Sequence, residues 1–186
     1  MIVALTGPKG SGKDTVGRLI CEMYPQYNPV TIAFADPIKK TVNHIFNLSD
    51  EAEYNYDRLK RSTLKLEDEE EYYSIDGRRL VREIGMLMRS YDTQQFDNYV
   101  AGKIRNEPDR LWIVTDMRFD DEYIMLKDMG ASIVKLIRPS YNYDGHITER
   151  GFDDHLVDIK LMNDGDLEYL KIRVEYTMKS ILEASK

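Results

Sequence analysis

Along the 186-residue chain, short β-branched apolar runs alternate with stretches in which apolar residues recur every three or four positions. The runs IVAL (Ile2 to Leu5), VTIAF (Val30 to Phe34), LWIVT (Leu111 to Thr115), SIVKLI (Ser132 to Ile137) and VDIKL (Val157 to Leu161) read as five strands. Between them, Val16, Leu19, Ile20 and Met23 share one face of a helix that starts near Lys13. Asp36-Pro37 reads as an N-cap with proline at the first helical position, opening a helix through IKKTVNHIF. RRLVREIGMLMRSY predicts a further helix, and Leu167, Leu170, Val174, Met178, Ile181 and Leu182 form one stripe of a closing helix. Strands alternating with helices predict an α/β fold with a parallel sheet of about five strands, covered by helices on both faces. No repeat and no Pro/Gly/Ser linker divides the chain, so a single domain over residues 1–186 is expected.

Charge narrows the functional classes. A net charge of −7 argues against broad binding to a nucleic-acid polymer or an acidic membrane face, so any phosphate site must be local. Cys21 is the lone cysteine, which excludes an intramolecular disulfide, and the apolar run before Gly7 is too short for a signal peptide or a membrane span. Both point to the cytoplasm. Five consecutive acids, Glu67 to Glu71, read as a solvated loop or helix face.

The candidate chemistry begins at GPKGSGKDT, Gly7 to Thr15, between the first strand and the first helix. It contains Gly-x-x-x-x-Gly-Lys. Gly7, Gly10 and Gly12 let successive backbone N–H groups of the loop, with Lys9 and Ser11 among them, turn toward a phosphate, and the helix N-terminus adds partial positive charge. Lys13 then reaches the β- and γ-phosphates of ATP. The plainer alternative is a glycine-rich turn that merely opens a helix. Asp14 stands where a hydroxyl ligand of magnesium is usual, and it is a poor neighbour for phosphate unless it points away. Thr15, one residue on, restores a hydroxyl, and GKxT resembles the loop of adenylate-kinase-like small-molecule kinases. Asp116, ending LWIVTD, supplies a carboxylate for Mg2+, directly or through a water, or else caps a helix.

The SGKDT ending of the loop, FADPIK after the second strand, RRLVREIGMLMR, TDMRF and HITE occur in an order and spacing that resemble the deoxynucleoside monophosphate kinases of tailed phages, within the P-loop nucleoside monophosphate kinases. DIKLMNDGDLEYL is similar to the closing strand and Asn-x-Gly-x-Leu loop of many nucleotide kinases. The resemblance covers most of the chain but leaves the acidic run unaligned. It implies a helical insertion over residues 37–108 that holds the acceptor monophosphate, and a lid over 138–156 that excludes water from the transfer.

Phosphoryl transfer between two anions calls mainly for positioned positive charge. The resemblance implies Arg89 as the acceptor-phosphate ligand, in the family's Gly-x-x-x-Arg string after Gly85, with a surface arginine as the alternative. Lys39, Arg79, Arg118 and Glu122 are further acceptor-site candidates, and Tyr72, Tyr73 or Tyr91 candidates for stacking on the base. Arg138 and Arg150 are candidate clamps for the transferring phosphate, with His146 and Glu149 matching the family's His-x-x-Glu. The expected reaction is ATP-dependent phosphorylation of a deoxynucleoside monophosphate, with Mg2+ as cofactor, in the cytoplasm or, for a phage-encoded chain, that of the host. A homodimer is left open. The alternatives are another small-molecule P-loop kinase, of dephospho-coenzyme A or phosphomevalonate type, and a nucleotide-hydrolysing switch module.

Overall fold

The computed structural model describes residues 1–45, 63–68, 71–139 and 152–184. Within these, the elements in chain order are β1 (Ile2–Thr6), α1 (Lys13–Met23), β2 (Val30–Ile32), α2 (Asp36–Ile45), β3 (Thr63–Asp68), β4 (Glu71–Asp76), α3 (Gly77–Tyr91), α4 (Gln94–Asn106), β5 (Trp112–Val114), α5 (Asp120–Asp128), β6 (Ser132–Ile137), β7 (Ile159–Met162) and α6 (Leu167–Ala184). Two compact units emerge: Met1–Phe34 with Asp97–Lys186, and Ala35–Phe96.

The first unit is built on a five-stranded sheet in the order β2-β5-β1-β6-β7. Every neighbouring pair is parallel, with Ala4 of β1 in register with Val114 on one side and Ile133 on the other. All five expected strands form, with no end shifted by more than two residues. All five residues of β1 are buried, as the central strand of a sheet covered on both faces must be. Val3 and Leu5 join a core with Val16, Leu19 and Ile20 of α1 and Leu170, Val174, Met178 and Ile181 of α6. The predicted stripe on α6 thus buries from Leu170 to Ile181, with Leu182 partly buried and Leu167 at its start half exposed. Truncating Leu5 to alanine in such a packed core costs about 2–5 kcal/mol.

The topology decides where a ligand can sit. From β1 the chain moves to β2 and β5 on one side, then to β6 and β7 on the other. The carboxyl end of β1 is therefore a switch point, where open α/β sheets leave a crevice for ligands. The loop from Gly7 to Gly12 starts there.

The second unit corrects three expectations. Helical bonding in α2 begins one residue early, with Lys39 N–H donating to Ala35 O at 3.0 Å, so Asp36 lies inside the helix and is not its cap. The insertion is not purely helical, because β3 and β4 pair as an antiparallel hairpin. The acidic run is no helix face: Glu67 and Asp68 end β3 and Glu71 opens β4, with Glu67 opposite Tyr72. A Cβ on Gly85 in α3 would lie 3.1 Å from Ile38 Cδ1 of α2, so the missing side chain lets the two helices approach closely.

Candidate active site: the phosphate loop at the carboxyl edge of the sheet

Backbone conformations open only to glycine shape the loop. Gly7, Gly10 and Gly12 have φ of 135°, 77° and 104°. A Cβ on Gly7 would sit 2.6 Å from Leu136 O, so space as well as conformation excludes a side chain. Ser11 is fully buried, and its N–H closes a tight turn onto Pro8 O at 3.1 Å. Lys13 is only 8% exposed, and its ammonium donates to Gly7 O at 2.6 Å and Pro8 O at 2.8 Å. Carbonyl oxygens thus hold a buried cation on the rim of the loop.

Gly12 is the residue before α1, and no side chain caps the helix there. The N–H groups of the first turn are therefore aimed at whatever anion the loop receives. Asp14 is exposed and Thr15 half-buried. An exposed acid in the first turn complements the helix dipole, which gives Asp14 a physical reason that needs no metal. A Cβ on Gly17 would come within 3.1 Å of Thr115 Cγ2, so the start of α1 packs on the end of β5. Thr15 and Asp116 consequently stand at the same edge of the sheet.

The helix that follows Asp116 is flanked by Phe119, three residues further on. Asp116 Oδ1 accepts the Phe34 N–H at 2.8 Å, tying the end of β5 to the end of β2. The following turn is held from two sides: Thr6 Oγ1 donates to Met117 O at 3.0 Å, and Glu122 Oε2 accepts the N–H groups of Arg118 at 2.6 Å and Phe119 at 3.1 Å. Glu122 is only 2% exposed. Its carboxylate orders the turn that carries Asp116 and Arg118, a use that sequence spacing did not reveal. A glutamate three residues after the helix-flanking Phe119 is half of a capping box, and that signal was available.

Arg138, at the end of β6, donates to Gly10 O at 3.0 Å and so stands beside the phosphate loop. His146, Glu149 and Arg150 lie outside the described residues. Where the chain returns, Lys135 donates to Phe152 O at 2.6 Å and to Asp154 at 2.8 Å, and the buried Phe152 ring meets Tyr123 at 5.5 Å. Hydrogen bonds from Lys135 and then Lys160 lower the Asp154 pKa to about 2.

Within the Ala35–Phe96 unit the candidates make local partnerships. Lys39 pairs with Asp36 at 2.9 Å and Arg79 with Glu83 at 2.6 Å, both along their own helices. Arg89 is half-buried, with its guanidinium 5.2 Å from the centre of the Phe96 ring. Tyr91 is 84% exposed.

A residue that sequence reading did not place in the site is Asn163, which follows β7. Its amide donates to Ser11 O at 2.8 Å across 152 positions of sequence. The quoted Asn-x-Gly string pointed to the loop but not to this contact.

A glycine-rich loop with a buried lysine, ending β1 at the switch point of a 2-5-1-6-7 parallel sheet, defines a P-loop kinase fold. A dephospho-CoA kinase from Campylobacter jejuni shares that fold, with a TM-score of 0.54 at 10% identity over 100% of this chain and 98% of its own. The model of the deoxynucleotide monophosphate kinase family matches residues 1–95 and 58–174, and the chain belongs to that family. A protein of Acanthamoeba polyphaga mimivirus that carries the family's name is 27% identical over 161 residues, 77% of each chain. The deoxynucleotide monophosphate kinase of Enterobacteria phage T4 is 28% identical over 150 residues, 76% of this chain and 61% of its own. The chain is accordingly a nucleotide kinase, a phosphotransferase.

Proposed function

We propose that the chain transfers the γ-phosphoryl group of ATP to a deoxynucleoside monophosphate, giving a deoxynucleoside diphosphate for DNA synthesis. The observation that carries this reading is the buried, carbonyl-held Lys13 in a glycine-shaped loop, in a chain matched along most of its length by the deoxynucleotide monophosphate kinase family. The loop amides and the first turn of α1 receive the β- and γ-phosphates, and Lys13 counters the charge that spreads over the γ-oxygens. An oxygen of the acceptor's phosphate attacks γ-phosphorus in line while the bond to the bridging oxygen breaks, and ADP leaves. Arg89 holds the acceptor phosphate, with Lys39, Arg79 and Arg118 as further acceptor-side positions, and Glu122 orders the turn that carries Arg118. Arg138 and Arg150 clamp the transferring group, and His146 and Glu149 order their segment.

Thr15 and Asp116 are hard oxygen donors at one edge of the sheet, and they fit Mg2+, which takes few protein ligands and completes its shell with phosphate oxygens and water. Bound there, Mg2+ would neutralise charge between the β- and γ-phosphates. Among the described residues no helix is long and apolar enough to cross a membrane. The reading places the enzyme in the cytoplasm with its small-molecule substrates.

The test is steady-state ADP formation against a panel of deoxynucleoside and ribonucleoside monophosphates, with dephospho-coenzyme A alongside. ADP should form only when a deoxynucleoside monophosphate is present. Turnover on dephospho-coenzyme A alone, or equal ADP release without any acceptor, would replace this reading with one of its rivals.

A further inference from the structure

Asn163 links the end of the sheet to the phosphate loop. It sits at the end of β7, with its own N–H bonded to Ile137 O at 2.8 Å, so the β6–β7 ladder fixes its backbone. Its side chain crosses to the phosphate loop, where Nδ2 lies 2.8 Å from Ser11 O. The amide orientation follows from chemistry, because a carbonyl can only accept and the NH2 group must face it. The contact is close: a Cβ on Gly12 would lie 2.5 Å from the same nitrogen.

A trans peptide unit is planar, with its C=O and N–H pointing in opposite directions. Holding Ser11 O toward Asn163 therefore turns the Gly12 N–H the other way, away from Asn163. Gly12 has φ of 104°, and with no Cβ it does little to fix this geometry by itself, so the Ser11–Gly12 peptide gains from an external hold. Gly7 O and Pro8 O already have Lys13, and Gly10 O has Arg138. Asn163 gives Ser11 O its donor.

We propose that Asn163 is a positioning residue for phosphoryl-donor binding: its amide locks the Ser11–Gly12 peptide so that the Gly12 N–H is preset to receive a phosphate oxygen of the donor. The role rests on the nucleotide-kinase reading above. It predicts an order of effects opposite to that of a space-filling residue. Asn163→Ala removes the donor and frees the peptide. Asn163→Asp keeps the shape but sets a carboxylate against Ser11 O and adds negative charge beside the phosphates. A packing role would make the isosteric aspartate the milder change, whereas a donor role makes it the worse one.

The experiment titrates the full chain with inorganic tripolyphosphate and Mg2+ by calorimetry, so that neither a base nor a sugar contributes. Asn163→Ala should weaken binding about five- to tenfold, the worth of one hydrogen bond, and Asn163→Asp more than that. The KM for the deoxynucleoside monophosphate should stay within about twofold, on the principle that the two sites share no residue here. Wild-type affinity in either variant, or a milder effect for aspartate than for alanine, overturns the proposal while leaving the kinase reading intact. Wild-type protein that ignores tripolyphosphate overturns both. A measurement that needs no variant is the wild-type Gly12 amide resonance, which should shift downfield on adding tripolyphosphate; an unmoved resonance also overturns the proposal.

Discussion

Lys13 in the phosphate loop is 8% exposed and held by two backbone carbonyls, whereas the Arg79 side chain in the Ala35–Phe96 unit is 69% exposed and held by Glu83, one turn along its own helix. Lys39 and Asp36 also pair along one helix, with side chains only 22% and 28% exposed. The loop encodes its site in the backbone: glycines at positive φ, a helix start without a side-chain cap, and carbonyls that fix a cation. The Ala35–Phe96 unit encodes its candidates in long side chains, whose ion pairs within a helix are worth a few tenths of a kcal/mol each where exposed, as in Arg79–Glu83. Such partners are easily exchanged.

The comparison breaks most visibly at Lys13. Lys13→Ala should reduce kcat to below a tenth of wild type, a loss of more than about 1.4 kcal/mol of transition-state stabilisation, while the far-ultraviolet circular dichroism is unchanged. Retained turnover would mean that the loop binds something other than the reacting phosphates. Next in size is Gly7→Ala, which forces a Cβ toward Leu136 O at φ 135°. Strain of about 2 kcal/mol should lower Tm by roughly 4–8 °C and weaken ATP binding with it. The same exchange at Gly102, where a Cβ meets nothing within 4 Å, should not.

A finer break separates Asp14 from Thr15. Asp14 is exposed and Thr15 half-buried, so Asp14→Ser should leave kcat/KM within a few-fold and Thr15→Ala should lower it about tenfold or more, as loss of a metal-site hydroxyl implies. The reverse order in a magnesium titration would assign the metal to Asp14. The smallest effect belongs to Asp154, where the folded-state pKa of about 2 lies below the ordinary 3.8 because of Lys135 and Lys160. A depressed carboxyl stabilises the fold above its unfolded pKa and loses that contribution as pH falls through the folded value. The Tm difference between wild type and Asp154→Asn should therefore be small at neutral pH and shrink further below about pH 4.

Much of the first unit was legible because its signals are local. The strand runs are continuous and apolar, as in a parallel sheet, and the loop's glycines, lysine and helix start are neighbours in sequence. The β3–β4 hairpin was hidden by its own charge: the acids of Glu67 to Glu71 are depleted in strands, yet Glu67 and Asp68 are paired by register with Tyr72 and Glu71. Glu122 reads as a substrate ligand because, beyond half of a capping box at Phe119, a carboxylate four residues from Arg118 gives no sign of burial; the folded turn shows two backbone N–H groups on one oxygen. Asn163 was out of reach for a simpler reason, since its partner lies at the other end of the chain.

The central claim is that donor and acceptor are bound by separately built sites, and paired calorimetric titrations test it most directly. Lys13→Ala and Arg89→Lys would each be titrated with a non-hydrolysable ATP analogue and, separately, with a deoxynucleoside monophosphate. Lysine cannot reproduce the planar fork with which arginine grips phosphate. Arg89→Lys should therefore weaken the monophosphate about tenfold and leave the analogue almost unchanged, and Lys13→Ala should do the reverse. If each variant weakens both ligands equally, or if wild-type protein binds the analogue but no monophosphate, the account of two separately built sites is contradicted.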